Sequence, residues 1–261
     1  MRAILFDLDG VLYQGDRIID GAVETLQWCE RHGVPHLFVT NTSSKPRRAL
    51  VERLSGLGLS ISAEQIFAPP VAAYDYLAET NAEPVALFVR VATREDFAGL
   101  SLLDETAESG AQSVVIGDIG EAWSFATLNR AFRLLMEEPQ PVLVALGMSR
   151  YALGKDGLIL DVAPFIKALE YAADCEAVVM GKPADAFFDA AVRRLQTSRA
   201  ETVMVGDDIR SDVGGAQAAG LTGVLVKTGK FRDKDLKGSV RPDAVLDSVA
   251  DLPRWWDNQL G

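Results

Sequence analysis

Cysteine and histidine are scarce in this chain, and long apolar runs are missing. Cys29 and Cys175 are the only cysteines, and we interpret them as free buried thiols in a reducing compartment. His32 and His36 flank a predicted turn, which favours structural roles. No apolar run reaches the ~18 to 20 residues of a membrane helix, and a strand pattern begins at Arg2 where a signal peptide would stand. We therefore expect a cytoplasmic protein without a membrane partner.

Basic residues are also few relative to acidic ones. The chain has 26 Lys and Arg residues against 37 Asp and Glu residues, a formal net charge of −11. This balance argues against a nucleic-acid partner, which would require a basic surface. The 261 residues are 48% apolar and 24% charged, which is typical of a globular protein with one large domain or two modest ones. An anionic substrate would need a bound cation and a well-placed lysine to reverse the local potential.

The first ten residues combine a buried strand with two carboxylates. Ile4, Leu5 and Phe6 form a short apolar run, which is typical of a strand buried on both faces of a parallel sheet. Asp7 and Asp9 follow immediately. Ionised carboxylates at the edge of a core are costly unless a cation meets them. Because ligands bind beyond the carboxyl ends of such strands, we expect both aspartates at the floor of a site.

Polar residues also follow three later strand patterns, at 36–39, 176–180 and 202–205. In a doubly wound parallel sheet these strand ends lie along one edge, so their side chains are expected to converge with those of the first strand. The residues are Thr40 and Asn41 after the first of these strands, Lys182 after the second, and Asp207 and Asp208 after the third.

A second α/β pattern occupies roughly residues 78–162. It contains apolar strand patterns at 85–89, 113–116 and 142–146, with helical segments predicted near 104–109 and 124–138. None of its strands ends in the acid-rich signature of the first strand. We predict an α/β protein with a Rossmann-like, doubly wound parallel-sheet core and an inserted α/β cap domain. The predicted limits are 1–77 and 163–261 for the core and 78–162 for the cap, where Arg90, Arg94 and Arg150 are the first candidates for substrate specificity.

The polar groups fit phosphoryl transfer. Asp7 is the predicted nucleophile, because an aspartate can form an acyl phosphate and divide one difficult displacement into two steps. Asp9 is the predicted general acid and base. Thr40 and Asn41 can donate to phosphoryl oxygens, and Lys182 can neutralise the transferred group. Each motif alone also fits an ordinary structural role, such as a turn, a loop or a surface lysine.

A magnesium site is predicted from the acidic cluster of Asp207, Asp208 and Asp212. Like charges this close are unfavourable unless a metal or buried donors compensate them. Mg²⁺ favours oxygen ligands and keeps several waters. We assign the side chains of Asp7 and Asp207 and the carbonyl of Asp9 as ligands. Asp208 and Asp212 are expected to support these ligands or to cap the next helix.

Two other phosphate-binding motifs are excluded. The segment 223–230 resembles a P-loop, but its glycines are one residue too far apart and Phe231 replaces the Ser or Thr. Gly56 and Gly58 begin a dinucleotide fingerprint, but Ile61 stands where the third glycine is needed.

Together these segments resemble the four motifs of the haloacid dehalogenase (HAD) superfamily, in family order, and the long insert resembles the α/β cap of subclass IIA. Segments 120–125, 129–137 and 167–172 are similar to the phospholysine phosphohistidine inorganic pyrophosphate phosphatases. The resemblance implies a Rossmann-like core, Mg²⁺, a phosphoaspartyl intermediate and homodimers formed through the caps. One departure is Asp9, where the mammalian members of that group have a non-acidic residue.

The sequence therefore predicts a Mg²⁺-dependent phosphatase that acts on a small phosphorylated substrate: a phosphate monoester, a phosphoramidate or pyrophosphate. Two alternatives use Asp7 as a phosphoryl acceptor in another way. One is a phosphotransferase, which the sequence does not separate from a hydrolase. The other is a phospho-accepting regulatory module, against which Asp9 and the large cap argue, because they serve turnover and substrate enclosure.

Overall fold

The computed structural model describes residues 1–154 and 156–259, which form two compact units. Of these residues, the first unit contains 1–40, 48–67 and 182–259, and the second contains 41–47 and 68–181. Each unit combines a parallel sheet with helices, so the predicted α/β class is confirmed.

The elements are numbered in chain order. The strands are β1 (Ala3–Asp7), β2 (Tyr13–Gln14), β3 (Arg17–Ile18), β4 (His36–Val39), β5 (Ile66–Phe67), β6 (Val85–Phe88), β7 (Ser113–Ile116), β8 (Val142–Ala145), β9 (Tyr151–Gly154), β10 (Gly157–Leu160), β11 (Val178–Val179), β12 (Thr202–Gly206), β13 (Thr222–Val226) and β14 (Ala244–Leu246). The α-helices are α1 (Ala22–Arg31), α2 (Arg47–Gly56), α3 (Pro69–Thr80), α4 (Phe125–Leu135), α5 (Ala163–Ala173), α6 (Asp185–Arg194), α7 (Gly215–Ala218) and α8 (Leu252–Asp257).

The first unit is built on a six-stranded parallel sheet with the order β14-β13-β12-β1-β4-β5. β1 is buried throughout, as its unbroken apolar run predicts. The chain adds β4 and β5 on one side of β1, and it adds β12, β13 and β14 on the other. The strand order therefore reverses between β1 and β12, and ligands bind at such a switch point, beyond the carboxyl ends of the strands.

Contacts between the two ends of the chain stabilise this unit. Trp28 of α1 packs edge-on against Trp256 of α8, with ring centroids 6.0 Å apart. The buried Thr25 hydroxyl donates to the Val249 carbonyl at 3.1 Å. These contacts fix the C-terminal segment against α1. The apolar spacing of α1 predicted that the helix has a buried face, but it did not predict which segment covers that face.

The second unit has its own parallel sheet, with the order β11-β8-β7-β6, and its own apolar core around Val114, Ile116, Leu134 and Ile166. An antiparallel hairpin of β9 and β10 accompanies this sheet and exposes large apolar side chains. This hairpin was not predicted. The described residues include no helix that is long and apolar enough to cross a membrane.

Two local predictions are wrong. The strand before Lys182, β11, pairs with β8 in the second sheet, so only three of the four predicted strand ends belong to the first sheet. The helix predicted near 104–109 does not form. Asp104 instead accepts a hydrogen bond from the backbone N–H of Thr106 at 2.8 Å, and such local bonds compete with helix formation.

The limits of the second unit lie outside those predicted for the cap. The unit takes in α3, α5 and β11 in addition to 78–162. The reason is packing, since α5 contributes Ile166 and Leu169 to the apolar core of this unit. The cap limits of 78 and 162 stay a prediction of where the inserted domain begins and ends.

Candidate active site

Adjacent strands bring Asp7 and Asp207 to the same edge of the first sheet. Asp7 is the last residue of β1, and the preceding Phe6 pairs in register with Val205 of β12. Asp207 directly follows β12. The register thus places the two aspartates at neighbouring strand ends, at the switch point of the sheet.

Asp212 joins these two residues. Asp7, Asp207 and Asp212 each offer a carboxylate oxygen, and the three oxygens lie within 4.8 Å of one another. All three residues are buried. We call this cluster the acidic trio. Asp212 was predicted to support the metal ligands or to cap the next helix, and that role stays a prediction. Its carboxylate oxygen lies beside those of the two residues assigned as ligands.

Lys182 supplies the cation of the site. Its Nζ donates to Oδ1 of Asp7 at 2.6 Å and lies 2.8 Å from Oδ1 of Asp212. The Lys182 side chain is only 3% exposed, so these contacts are shielded from solvent and strongly coupled. Lys182 is therefore buried among the carboxylates of this site. It is not an exposed surface lysine, which its sequence motif alone also allowed.

The charges of the acidic trio do not balance. Burial lowers the pKa of Lys182, but Asp212 and Asp7 raise it by more, so the pKa lies above its ordinary value and the lysine stays cationic. Burial raises the pKa of Asp7 to about 7, although Lys182 opposes the effect. Burial also raises the pKa of Asp207. Because one ammonium faces three carboxylates, the cluster favours an added proton or cation.

Two glycines enclose the carboxylate of Asp207. A Cβ added to Gly10 or to Gly229 would lie 2.0 Å from Oδ2 of Asp207, and both glycines have positive φ. The same Oδ2 accepts a hydrogen bond from the backbone N–H of Lys230 at 2.7 Å. The Thr228 hydroxyl donates to the Gly10 carbonyl, which links the two glycine turns. The glycines are required because only a backbone without Cβ can approach the carboxylate this closely.

The other oxygen of Asp207, Oδ1, has no hydrogen-bond partner among the described residues. Among residues 1–154 and 156–259, Oδ1 of Asp207 is one of two buried side-chain polar atoms without a hydrogen bond. Buried polar atoms are normally satisfied, so this orphan requires an explanation. A bound cation supplies one, since the acidic trio offers carboxylate oxygens, the ligands that Mg²⁺ prefers. The residues present therefore fit a magnesium ion.

Asp208 caps the helical segment that carries Asp212. Its Oδ1 accepts from the backbone N–H groups of Arg210 at 2.9 Å and Ser211 at 3.1 Å, at the start of a π-helical turn over Ile209–Gly214. Burial raises the pKa of Asp208, but these hydrogen bonds lower it by more. Asp212 in turn accepts from the Asp208 N–H at 3.1 Å. The capping role expected for Asp208 agrees with this geometry.

The remaining predicted site residues lie in different surroundings. Asp9 is exposed, while Thr40 is buried and its N–H donates to the Phe67 carbonyl at 3.2 Å. Asn41 belongs to the second unit, where its Oδ1 lies 3.4 Å from the position of a Cβ on Gly181. The structure thus brings Asp7, Lys182, Asp207 and Asp212 together directly.

Two of the three cap arginines are engaged within the second unit. Arg90 pairs with Asp118 at 2.7 Å, and Arg94 pairs with Glu105. Arg150 lies over the ring of Tyr151, with its guanidinium carbon 5.9 Å from the ring centroid. Arg90 and Arg94 would therefore have to give up an existing carboxylate partner in order to bind a substrate.

The turn at 228–230 is the part of the site that the sequence reasoning missed. It was considered only as a P-loop and excluded on glycine spacing, yet its Gly229 and the N–H of Lys230 hold Asp207. One signal was available. Gly229 follows a buried strand next to the strand that delivers Asp207, and a glycine at such a strand end often marks a close backbone approach.

Family models match both halves of this core. A model described as haloacid dehalogenase-like hydrolase matches residues 4–102, and one described as HAD-hydrolase-like matches residues 179–252. The chain is 40% identical to the phospholysine phosphohistidine inorganic pyrophosphate phosphatase of Homo sapiens, over 96% of this chain and 92% of that protein. It is 42% identical to the haloacid dehalogenase-like hydrolase domain-containing protein 2 of Bos taurus, over 90% of this chain and 87% of that protein.

Solved structures agree with this result. The fold matches the p-nitrophenyl phosphatase from Archaeoglobus fulgidus with a TM-score of 0.83 and 27% identity, covering 97% of this chain and 98% of that one. It also matches a hypothetical protein from Pyrococcus horikoshii OT3 with a TM-score of 0.86 and 26% identity, covering 98% and 100%. With the HAD-like fold and the family matches in agreement, the chain belongs to the haloacid dehalogenase-like hydrolases and is a HAD-type phosphatase.

Proposed function

We propose that this phosphatase is Mg²⁺-dependent and works through a phosphoaspartyl intermediate on Asp7. The observation that carries the proposal is the position of Asp7. Its carboxylate accepts from the buried Lys182 at 2.6 Å and lies beside Asp207, whose Oδ1 accepts no hydrogen bond from the part of the chain that the structure describes. With Lys182 on one side and a cation held at Asp207 on the other, the Asp7 carboxylate would be suited to attack an anionic phosphoryl group, because both charges would offset the repulsion.

In the first step, a carboxylate oxygen of Asp7 attacks phosphorus and the bond to the leaving group breaks. The leaving atom takes a proton from Asp9. Asp9 is exposed, so its carboxyl is accessible to a leaving group, and general acids of this kind contribute about 10²- to 10⁴-fold. Lys182 stays cationic between Asp7 and Asp212 and stabilises the charge that develops on the phosphoryl oxygens.

In the second step, water attacks phosphorus of the acyl phosphate and the bond from phosphorus to the Asp7 oxygen breaks. Asp9 takes the proton of the water and returns to its acidic form. Inorganic phosphate leaves, and the Asp7 carboxylate is regenerated. Thr40 and Asn41 are proposed to donate hydrogen bonds to the phosphoryl oxygens during both steps.

The proposed magnesium ligands are the side chains of Asp7 and Asp207 and the carbonyl of Asp9. Asp212 lies close enough to Asp7 and Asp207 to be a further candidate. Bound Mg²⁺ supplies positive charge that polarises the phosphoryl group. Asp208 supports the site as the cap of the segment that carries Asp212.

The proposed substrate is a small phosphorylated compound: a phosphate monoester, a phosphoramidate or pyrophosphate. The names of the relatives support this range, since the human protein is named for phospholysine, phosphohistidine and pyrophosphate and the Archaeoglobus protein for p-nitrophenyl phosphate. Asp9 supports the inclusion of monoesters with poor leaving groups, because their leaving oxygen needs a proton.

A cap over residues 78–162 and a homodimer through it are part of the proposal. Leu153 and Leu158 face each other on the β9–β10 hairpin and are 83% and 71% exposed. Exposed apolar clusters of this kind are typical of protein interfaces. A second copy of the chain is the proposed partner, and size-exclusion chromatography with light scattering should give a dimer mass that the Leu153→Ser/Leu158→Ser variant reduces to a monomer. A cytoplasmic location stays a prediction.

Steady-state hydrolysis of p-nitrophenyl phosphate with and without Mg²⁺ tests the proposal. We expect Asp7→Asn to abolish turnover with the fold intact by circular dichroism, and EDTA to abolish wild-type turnover reversibly. Against a substrate with a poor leaving group, Asp9→Asn should lower kcat by ~10²-fold or more. Near-wild-type turnover of Asp7→Asn, or activity unaffected by EDTA, would contradict the nucleophile or the metal assignment respectively.

A further inference from the structure

One short helix of the second unit is bonded to the loop that carries Thr40 and Asn41, the proposed phosphoryl donors. The loop covers residues 40–46, between β4 and α2. The short helix is the 3₁₀ helix Val91–Phe97, which follows β6. From Asn41 onward the loop belongs to the same unit as this helix. The contacts between that part of the loop and the helix are therefore internal to one unit.

Asp96 fixes the C-terminal end of the loop. Its Oδ2 accepts from the backbone N–H of Arg47 at 3.1 Å, and its Oδ1 accepts from Nε of the same residue at 2.9 Å. Arg47 is the first residue of α2, where backbone N–H groups have no partner within the helix and a carboxylate is favoured by the helix dipole. The Asp96 side chain is only 4% exposed. Its two charge-assisted hydrogen bonds are thus shielded from water, and they hold the backbone and the side chain of Arg47 together.

Thr93 fixes the middle of the loop. Thr93 is completely buried, and its hydroxyl donates to the Ser43 carbonyl at 3.3 Å. Phe97, at the end of the same 3₁₀ helix, is also completely buried, which anchors the helix in the apolar interior. Side chains three residues apart lie above one another on a 3₁₀ helix, so Thr93 and Asp96 reach the loop from one face. We call these two side chains the loop anchors.

The anchored loop leads to the buried lysine of the active site. Asn41 lies two residues before Ser43, and its Oδ1 is 3.4 Å from the position that a Cβ on Gly181 would take. Gly181 directly precedes Lys182, whose Nζ donates to Asp7. A displacement of the loop would therefore move the side-chain amide of Asn41 relative to the backbone that delivers Lys182.

We infer that Thr93 and Asp96 are positioning residues for phosphoryl transfer, which hold the side-chain amide of Asn41 where it donates to the phosphoryl group. This assignment rests on the proposed function and deepens it by naming the residues that set the geometry of one donor. Both anchors act through the loop and not through contact with substrate. Their effect is large because a misplacement of about 1 Å in a positioning group lowers a rate by about 10²-fold.

Asp96→Asn is the principal variant, because it keeps the size of the side chain and removes the charge that holds Arg47. With p-nitrophenyl phosphate and Mg²⁺, we expect kcat/KM to fall between about tenfold and 10²-fold. Thr93→Val is a second variant that is nearly isosteric and keeps the interior filled. It removes one neutral hydrogen bond, so it should lower kcat/KM by a smaller factor than Asp96→Asn.

Ser113→Ala is the matched control. Ser113 is a completely buried residue of the same unit, and its hydroxyl donates to the Ala82 carbonyl at 2.8 Å. The control therefore removes the same kind of hydrogen bond as Thr93→Val without touching the loop. It should keep the wild-type kcat/KM. An equal fall in Ser113→Ala and Thr93→Val would overturn the positioning role.

A double-mutant cycle with Asn41→Ala tests whether the loop anchors act through Asn41. If they do, Asp96→Asn has no amide left to misplace. The kcat/KM of Asn41→Ala/Asp96→Asn should then lie within about twofold of that of Asn41→Ala. Losses that multiply in the double variant would overturn the inference, because a general structural defect adds to the loss of Asn41.

Hydrogen–deuterium exchange of the peptide 40–50 separates this inference from the proposed function, because it needs no turnover. The loop amides should exchange about tenfold faster or more in Asp96→Asn than in the wild type, and at the wild-type rate in Ser113→Ala. Unchanged exchange in Asp96→Asn would overturn the anchoring role whatever the activity. Wild-type kcat/KM in Asn41→Ala would instead refute the proposed role of Asn41 and the inference with it.

Discussion

Replacing Asp7 by Asn is expected to change how the stability of the metal-free protein depends on pH. Burial raises the pKa of Asp7 to about 7, from an ordinary value of 3.8. The unfolded chain therefore releases this proton near pH 4, while the folded chain holds it until about pH 7. Between these values the folded state binds more protons than the unfolded state, so this group makes the free energy of unfolding fall as pH rises.

The size of the effect follows from the same values. One proton of difference corresponds to about 1.4 kcal/mol per pH unit, so the Asp7 contribution declines by at most about 4 kcal/mol across the window. Lys182 does not interfere. The pKa of Lys182 is raised in the folded state. The contribution of Lys182 to the free energy of unfolding is therefore fully present below its ordinary pKa of 10.5 and is lost only at higher pH.

Urea unfolding in EDTA, at several values from about pH 4.5 to 7.5, measures this difference. Other carboxylates also titrate in this range, so the quantity of interest is the free energy of unfolding of Asp7→Asn minus that of the wild type. We expect this difference to increase with pH by about 1 kcal/mol per unit. Added Mg²⁺ should reduce the slope, because the metal displaces the proton. A difference that stays constant across the range would show that Lys182 keeps Asp7 ionised throughout, and it would refute the charge imbalance argued for the acidic trio.

Two further predictions concern the backbone around Asp207. Gly229→Ala should weaken Mg²⁺ binding in calorimetry and lower stability by several kcal/mol, since its Cβ would lie 2.0 Å from Asp207 Oδ2. The control Gly15→Ala has a similar positive φ but open space, so it should lose only about 1 kcal/mol; equal losses would refute the steric argument. Asp208→Ala should lower the free energy of unfolding by about 1 kcal/mol or more. Because Asp208 accepts two backbone hydrogen bonds and the α4 cap Ser124 accepts one, a smaller loss than that of Ser124→Ala would contradict the capping role.

Much of the fold was accessible from the sequence, because its central strands are continuous apolar runs. Such runs are typical of parallel strands buried on both faces, and they end sharply where Asp7 and Asp207 begin. The strand ends of β1 and β12 were therefore placed correctly at one sheet edge. The α/β class and the HAD resemblance followed from the same segments.

The parts that were missed depend on contacts between distant segments. Nothing local distinguishes β11 from a core strand, and its pairing with β8 decided its sheet. The approach of Gly229 to Asp207 requires the neighbouring positions of β12 and β13. A π-helical turn brings Asp212 to the other two members of the acidic trio. The residue spacing of an ordinary α-helix does not predict such a turn.

Mass spectrometry of acid-quenched enzyme tests the nucleophile most directly. The Asp9→Asn variant is mixed with p-nitrophenyl phosphate and Mg²⁺. The p-nitrophenolate leaving group departs without a proton, so the intermediate still forms, but its hydrolysis is slow because the variant lacks the general base Asp9. The account predicts that the peptide containing Asp7 gains the mass of one phosphoryl group, and that the same peptide from Asp7→Asn/Asp9→Asn does not. A phosphoryl group on another residue, or none on Asp7 while product still forms, would contradict it.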